Sequence, residues 1–166
     1  MIREAPIGPD GGQSPACGGY YADPNRWLGA VFMMTSRICA PNLKTNPEVV
    51  EGMAVQNYWQ SVRLGERVMV GWWDDSPLLH TSDGEVKATA WLHINATTTA
   101  PTTPSLIIAL GNFKNESVTI TLSGSWAMET RWRAVAIDSF QVARLFEPGE
   151  PIPIVAKRGW MLESVE

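Results

Sequence analysis

Histidine and cysteine are nearly absent from this chain, two of each in 166 residues. Cys17 and Cys39 are too few to staple a disulfide-dependent fold, and a single bridge or two separate thiols both remain open. His80 and His93 have no Cys, His or acidic cluster at metal-ligand spacing, so no metal site and no cofactor is expected. Charge is sparse at 18% of residues, and the net value is −4 with no basic run. That balance argues against a nucleic-acid partner or an anionic membrane surface. Apolar runs are all too short to span a bilayer. Residues 1–19 are rich in Gly and Pro and lack the apolar stretch of a secretory leader, so they read as a loop or as a start inside a longer chain. Phosphate-binding, dinucleotide-binding and G-x-S-x-G motifs are missing as well.

What the chain does contain is globular material: 45% apolar residues and eight tryptophans. Ala30–Arg37 reads as a short strand buried on both faces. Asn46 and Pro47 open a helix predicted over 47–64, with Val49, Val50, Met53, Val55 and Tyr58 or Trp59 as its apolar face and Gly65 as the residue that ends it. Arg67–Trp73 is a second buried-type strand, and strand, helix, strand is the grammar of a parallel sheet or barrel. From Pro77 the pattern changes. Strands are predicted at Glu85–Ile94, Leu106–Phe113, Ser117–Gly124, Trp132–Asp138, Val142–Phe146, Ile152–Ala156 and Gly159–Glu163, separated by turn signals such as Asp83-Gly84 and Pro148-Gly149. Val118, Ile120 and Leu122 alternate, as in a half-buried antiparallel strand. The expected fold is mainly β. An antiparallel β-sandwich over 81–166 follows a partial β/α, barrel-end segment over 1–80.

The order of landmarks resembles one family. Met33-Met34-Thr35-Ser36-Arg37 is similar to a late strand of its barrel, and Val68-Met69-Val70-Gly71-Trp72-Trp73 to its final "M-I-G-Y-W" strand. Glu85-Val86-Lys87-Ala88-Thr89 matches "d-V-x-A-T", and Ile107 to Phe113 matches "a-l-A-n-w". Phe140-Gln141 sits at the family's "F-Q". Ile152, Pro153, Val155 and Gly159-Trp160-Met161-Leu162 match "I-P-V-x-P-x-K-G-W-L-L". The family is a set of large glycoside hydrolase-like proteins related to retaining N-acetylgalactosaminidase barrels. The resemblance runs from about Ala30 to the end and is dense from Val68. It departs between the Met33 strand and Trp59, shortens "I-D-W-x-x-L-G-L" to Gly124-Ser125-Trp126, and adds a Thr/Pro tract at 95–105. It implies a catalytic barrel followed by a β-sandwich, with the catalytic carboxylates on barrel strands upstream of Met1.

Within the chain, Trp72, Trp73, Asp74 and Asp75 are the candidate sugar contacts. Aromatic faces suit the C–H surfaces of pyranoses, and an acidic residue after a barrel strand lies where such active sites form. The plainer alternatives are a solvated Asp turn and two packed indoles. Adjacent Asp74 and Asp75 would point to opposite faces of an extended chain, so they do not form a catalytic pair. Trp126, Trp132 and Trp160 read as core, and Gln141 as a partner for backbone groups. Glu48 and Glu51 read as a solvated helix face. Asn95-Ala96-Thr97 and Asn115-Glu116-Ser117 are N-glycosylation acceptors, and with the Thr/Pro tract they point toward a secretory route. The chain is therefore expected to be the carboxyl-terminal part of a glycoside hydrolase-like protein, bracing a carbohydrate-active barrel without catalysing by itself. Its expected partners are carbohydrate and that barrel. A carbohydrate-binding module, testable at Trp91, and a non-catalytic structural remnant are the alternatives.

Overall fold

The computed structural model describes residues 54–55, 57–74, 78–93, 105–127, 130–137, 140–156 and 158–165. Ten strands are present among them: β1 (Val68–Val70), β2 (His80–Thr81), β3 (Val86–Leu92), β4 (Leu106–Asn112), β5 (Val118–Ile120), β6 (Leu122–Ser123), β7 (Arg131–Ala134), β8 (Arg144–Phe146), β9 (Ile152–Ile154) and β10 (Gly159–Val165). Six form one sheet in the order β1-β3-β4-β10-β7-β8, while β2 pairs with β6 and β5 with β9. Every pairing is antiparallel. The mainly β, antiparallel reading of the sequence holds.

The large sheet is buried on both sides, and β4 makes the reason legible. All seven of its residues are buried, so its apolar run has no alternation. Ile108 and Leu110 face a cluster with Val86, Trp132, Leu162 and Phe146 from the same sheet and Ile120, Ile152 and Ile154 from the β5–β9 sheet. This is the sandwich interior. Ile107 and Ala109 point the other way, joining Trp91 and Met161 beneath Val55, Trp59, Leu64, Ile137 and Phe140. The strand period of two sorts neighbouring apolar residues into two separate cores.

The cover on the second face is helical at Ala54, Val55 and 57–61. Val55, Trp59 and Val62 lie four and three residues apart, the spacing that puts them on one helix face. The helix ends earlier than the sequence suggested. Arg63 adopts a left-handed conformation, φ 51°, and a 3₁₀ turn, Leu64–Glu66, follows. Gly65 therefore sits inside that turn and does not cap the helix. Leu64 is the reason: the tighter turn carries it back into the core beside Trp59.

β1 pairs antiparallel with β3, Met69 opposite Trp91, while the strand that the expected crossover would join to it lies outside the described residues. Two other expectations change. The strand expected at Ser117–Gly124 is divided, β5 going to β9 and β6 to β2. Val142, expected to begin a strand, precedes β8 and is 72% exposed. The expected strand Ala30–Arg37, residues 47–53 of the helix, and Cys17, Cys39, Glu48 and Glu51 lie outside the described residues. Among the described residues, no helix is long and apolar enough to cross a membrane.

Two buried amides tie loops to the sheet. Gln141 Nε2 donates to the Val135 and Met161 carbonyls at 2.7 and 2.9 Å, and its Oε1 accepts from Met161 N–H at 2.8 Å. This is the backbone-satisfying role expected of it. Asn112 Nδ2 donates to the Glu116 carbonyl at 2.9 Å and its Oδ1 accepts from Lys114 N–H at 2.9 Å. Each satisfies polar groups that would be costly to bury alone.

Candidate functional site

β1 lies at one edge of the large sheet and runs into a turn at residues 71–74. Asp74 closes this turn twice. Its Oδ2 accepts from Gly71 N–H at 2.7 Å, and its own N–H donates to the Gly71 carbonyl at 2.9 Å. Asp74 is exposed, yet its carboxylate is used in holding the backbone. Gly71 is needed for a steric reason: a β-carbon there would lie 2.4 Å from Trp73 Cε2. One side of the Trp73 indole thus covers the glycine.

Between these residues stand Trp72 and Trp73, 45% and 44% exposed. Their ring centroids are 5.8 Å apart and the planes meet at 81°, the edge-to-face arrangement favoured by the aromatic quadrupole. Both were candidates for packing into an interior, and both instead reach solvent. The turn carries them past the end of β1. The ammonium of Lys87, on β3, lies 5.3 Å from the centre of the Trp72 ring and donates to the Gly84 carbonyl. Neither Lys87 nor Gly71 stands out by residue type; one reads as a polar position on a strand and the other as part of a strand end. Asp75 lies outside the described residues.

Other ionisable groups have structural work. Glu163 is 4% exposed. Its Oε1 accepts from Tyr58 Oη–H at 3.0 Å and its Oε2 from Arg133 Nη2 at 2.6 Å. Burial, then the Glu163 charge, pushes the Tyr58 phenol up from its ordinary value. Arg67, also buried, donates from Nε to the Val62 carbonyl at 3.2 Å, and burial lowers its pKa. The Lys114 ammonium, 2.6 Å from Asp83, holds the Asp83 carboxyl below the usual range. For Glu150, the Glu147 N–H lowers the carboxyl first and Arg144 adds to it. No group of three or more His, Cys, Asp or Glu among the described residues is placed to hold a metal ion.

Trp91 is 2% exposed in the core beside Ile107, so it is unsuited as a surface for glycans. Trp132 is core, while Trp126 and Trp160 are partly buried against it. Asn115 is exposed in the turn before β5, and Asn95 lies outside the described residues. A concavity of about 420 Å³ is lined by Phe140, Val142, Pro153, Val155, Arg158 and Trp160.

A family model described as glycoside hydrolase 123, C-terminal domain, matches residues 51–164. The match runs from the helical segment through most of β10. No curated protein and no solved structure matches the chain.

Proposed function

From the membership of this chain in glycoside hydrolase family 123, through that family's C-terminal domain, we propose that it braces a carbohydrate-active barrel and is not itself the catalyst. The observation that carries this reading is the use made of Glu163. In most glycoside hydrolases a catalytic carboxylate faces a second one across the scissile bond, with room between them for the sugar or for water. Glu163 instead receives hydrogen bonds on both oxygens and fastens the helical cover to β10. Asp74, the acidic residue nearest the exposed tryptophans, is spent on closing its own turn. Such an arrangement favours a stiff module with two filled cores. The chain is expected to give no turnover of 4-nitrophenyl N-acetyl-β-D-galactosaminide above buffer. Turnover that disappears in Asp74→Asn would overturn the reading.

A second role is favoured by the half-exposed Trp72 and Trp73. In this role the turn at 71–74 touches carbohydrate, with the two indoles as the contact surface and Asp74 holding their backbone. Asp75 belongs to the same proposal as a polar contact next to them. The domain would then contribute to sugar binding from its β1 edge while chemistry occurs elsewhere in the protein. Asn115, exposed in its turn, and Asn95 are proposed as N-glycan acceptors in a secreted protein.

A further inference from the structure

Beside the tryptophan turn stands a cation with no bonded carboxylate among the described residues. Lys114 is bonded to Asp83, Arg133 to Glu163 and Arg144 to Glu150. Lys87 differs: its ammonium has the Gly84 carbonyl and the Trp72 ring and bonds no carboxylate among the described residues, since Asp83, which feels its charge, is bonded to Lys114. An ammonium has three donors, so at least one is left over at the rim of the two exposed indoles. The nearest acid in the turn, Asp74, is engaged by Gly71. On a chain of net charge −4, this is a local positive point beside an aromatic surface.

We infer that Trp72, Trp73 and Lys87 form a binding site for an acidic saccharide, one whose ring carries a carboxylate or sulfate. The inference rests on the carbohydrate-contact reading of this turn and adds the ligand's charge to it. An exposed indole face takes the C–H surface of the sugar. The substituent's negative charge is met by the Lys87 ammonium in a charge-assisted hydrogen bond, about twice as strong as a neutral one. The parts are already in position. Gly71 fixes the Trp73 ring, Trp73 fixes Trp72 edge-on, and the Gly84 carbonyl together with the Trp72 ring holds Lys87. Little side-chain freedom is lost on binding, which favours affinity. A neutral sugar of the same shape keeps the stacking and forgoes the ion pair.

The test is a titration of the full chain, followed by tryptophan fluorescence, with hyaluronan tetrasaccharide and with the same tetrasaccharide after its carboxylates are reduced to alcohols. The acidic form is expected to bind about tenfold more tightly, the factor that roughly one such hydrogen bond provides. Added salt should narrow that gap. Lys87→Gln should bring the two affinities together, Lys87→Arg should keep them apart, and Trp73→Ala should weaken both. Far-UV circular dichroism of each variant checks that the sheet is intact. Equal binding of both ligands by the native chain overturns the acidic preference and leaves the carbohydrate reading standing. Binding of neither overturns both. A preference that survives in Lys87→Gln with its fold intact would place the charge recognition elsewhere and overturn the assignment.

Discussion

Gly71 lies beneath the Trp73 ring, and this single absence of a side chain decides what the edge of the sheet presents. A β-carbon at 71 would meet three ring atoms between 2.4 and 2.7 Å, distances at which something has to move. The flexible partner is the indole, so Gly71→Ala is expected to swing Trp73 outward and leave the backbone in place. The emission of the chain should shift to longer wavelength, and stability should fall by about 1 kcal/mol as the packed contact is lost. Unchanged emission would mean that the ring finds room without leaving its place. Gly124 differs in kind: its φ is +103°, and a β-carbon there would meet the Leu78 carbonyl oxygen at 2.5 Å, backbone that cannot swing aside.

Among the elements, the helical cover depends most on a polar contact. Tyr58 reaches through an apolar interface to the carboxylate of Glu163. Burial and that charge raise the phenol pKa above its ordinary value of 10.0. The folded chain holds the phenolic proton more tightly than the unfolded chain, so the contribution is complete below pH 10.0 and is lost as pH rises above it. Thermal unfolding followed against pH should show the midpoint falling above that value. In Tyr58→Phe the fall should be shallower, while stability at neutral pH drops by about 1–2 kcal/mol from loss of a hydrogen bond to a charged group. An identical alkaline slope in both proteins would remove Tyr58 from the account.

For the whole molecule, the notable feature is that one sheet serves two cores. Ile107 and Ile108 are neighbours on β4 but enter different clusters. Each is fully buried, so truncation to alanine should cost about 2–4 kcal/mol at either position. Both clusters share β4 and β10, which predicts one cooperative transition in calorimetry for the native chain and for each variant. Two separated transitions in Ile107→Ala would mean that the helical cover melts apart from the sandwich. The two edges of the sheet also differ. Arg144 on β8 lies over the Phe146 ring and pairs with Glu150, a charged guard of the kind that discourages further strand pairing. The β1 edge instead leads into the exposed tryptophans.

The strands from Val86 onward were legible in the sequence because turn residues and a period of two are local signals; β4 could be read as central from Leu106-Ile107-Ile108-Ala109-Leu110 alone. So could the family, since its motifs are short and lie in order along those same strands. The helix was legible in its apolar face but not at its end, where Leu64 returning to the core outweighs the glycine signal at Gly65. The pairing of β1 with β3 was not legible. Val68-Met69-Val70 is apolar enough for a parallel or an antiparallel place, and its pairing with Leu92, Trp91 and Ala90 is a contact between distant residues. The candidate site divides in the same way. Trp72, Trp73 and Asp74 stood out by residue type, whereas Lys87 joined them only through the pairing of β1 with β3. Composition and periodicity fix which residues are apolar and which strand they belong to. Tertiary structure alone decides which of two apolar faces is covered, which acid is spent on structure, and which cation is left without one, because those outcomes depend on what lies across the sheet.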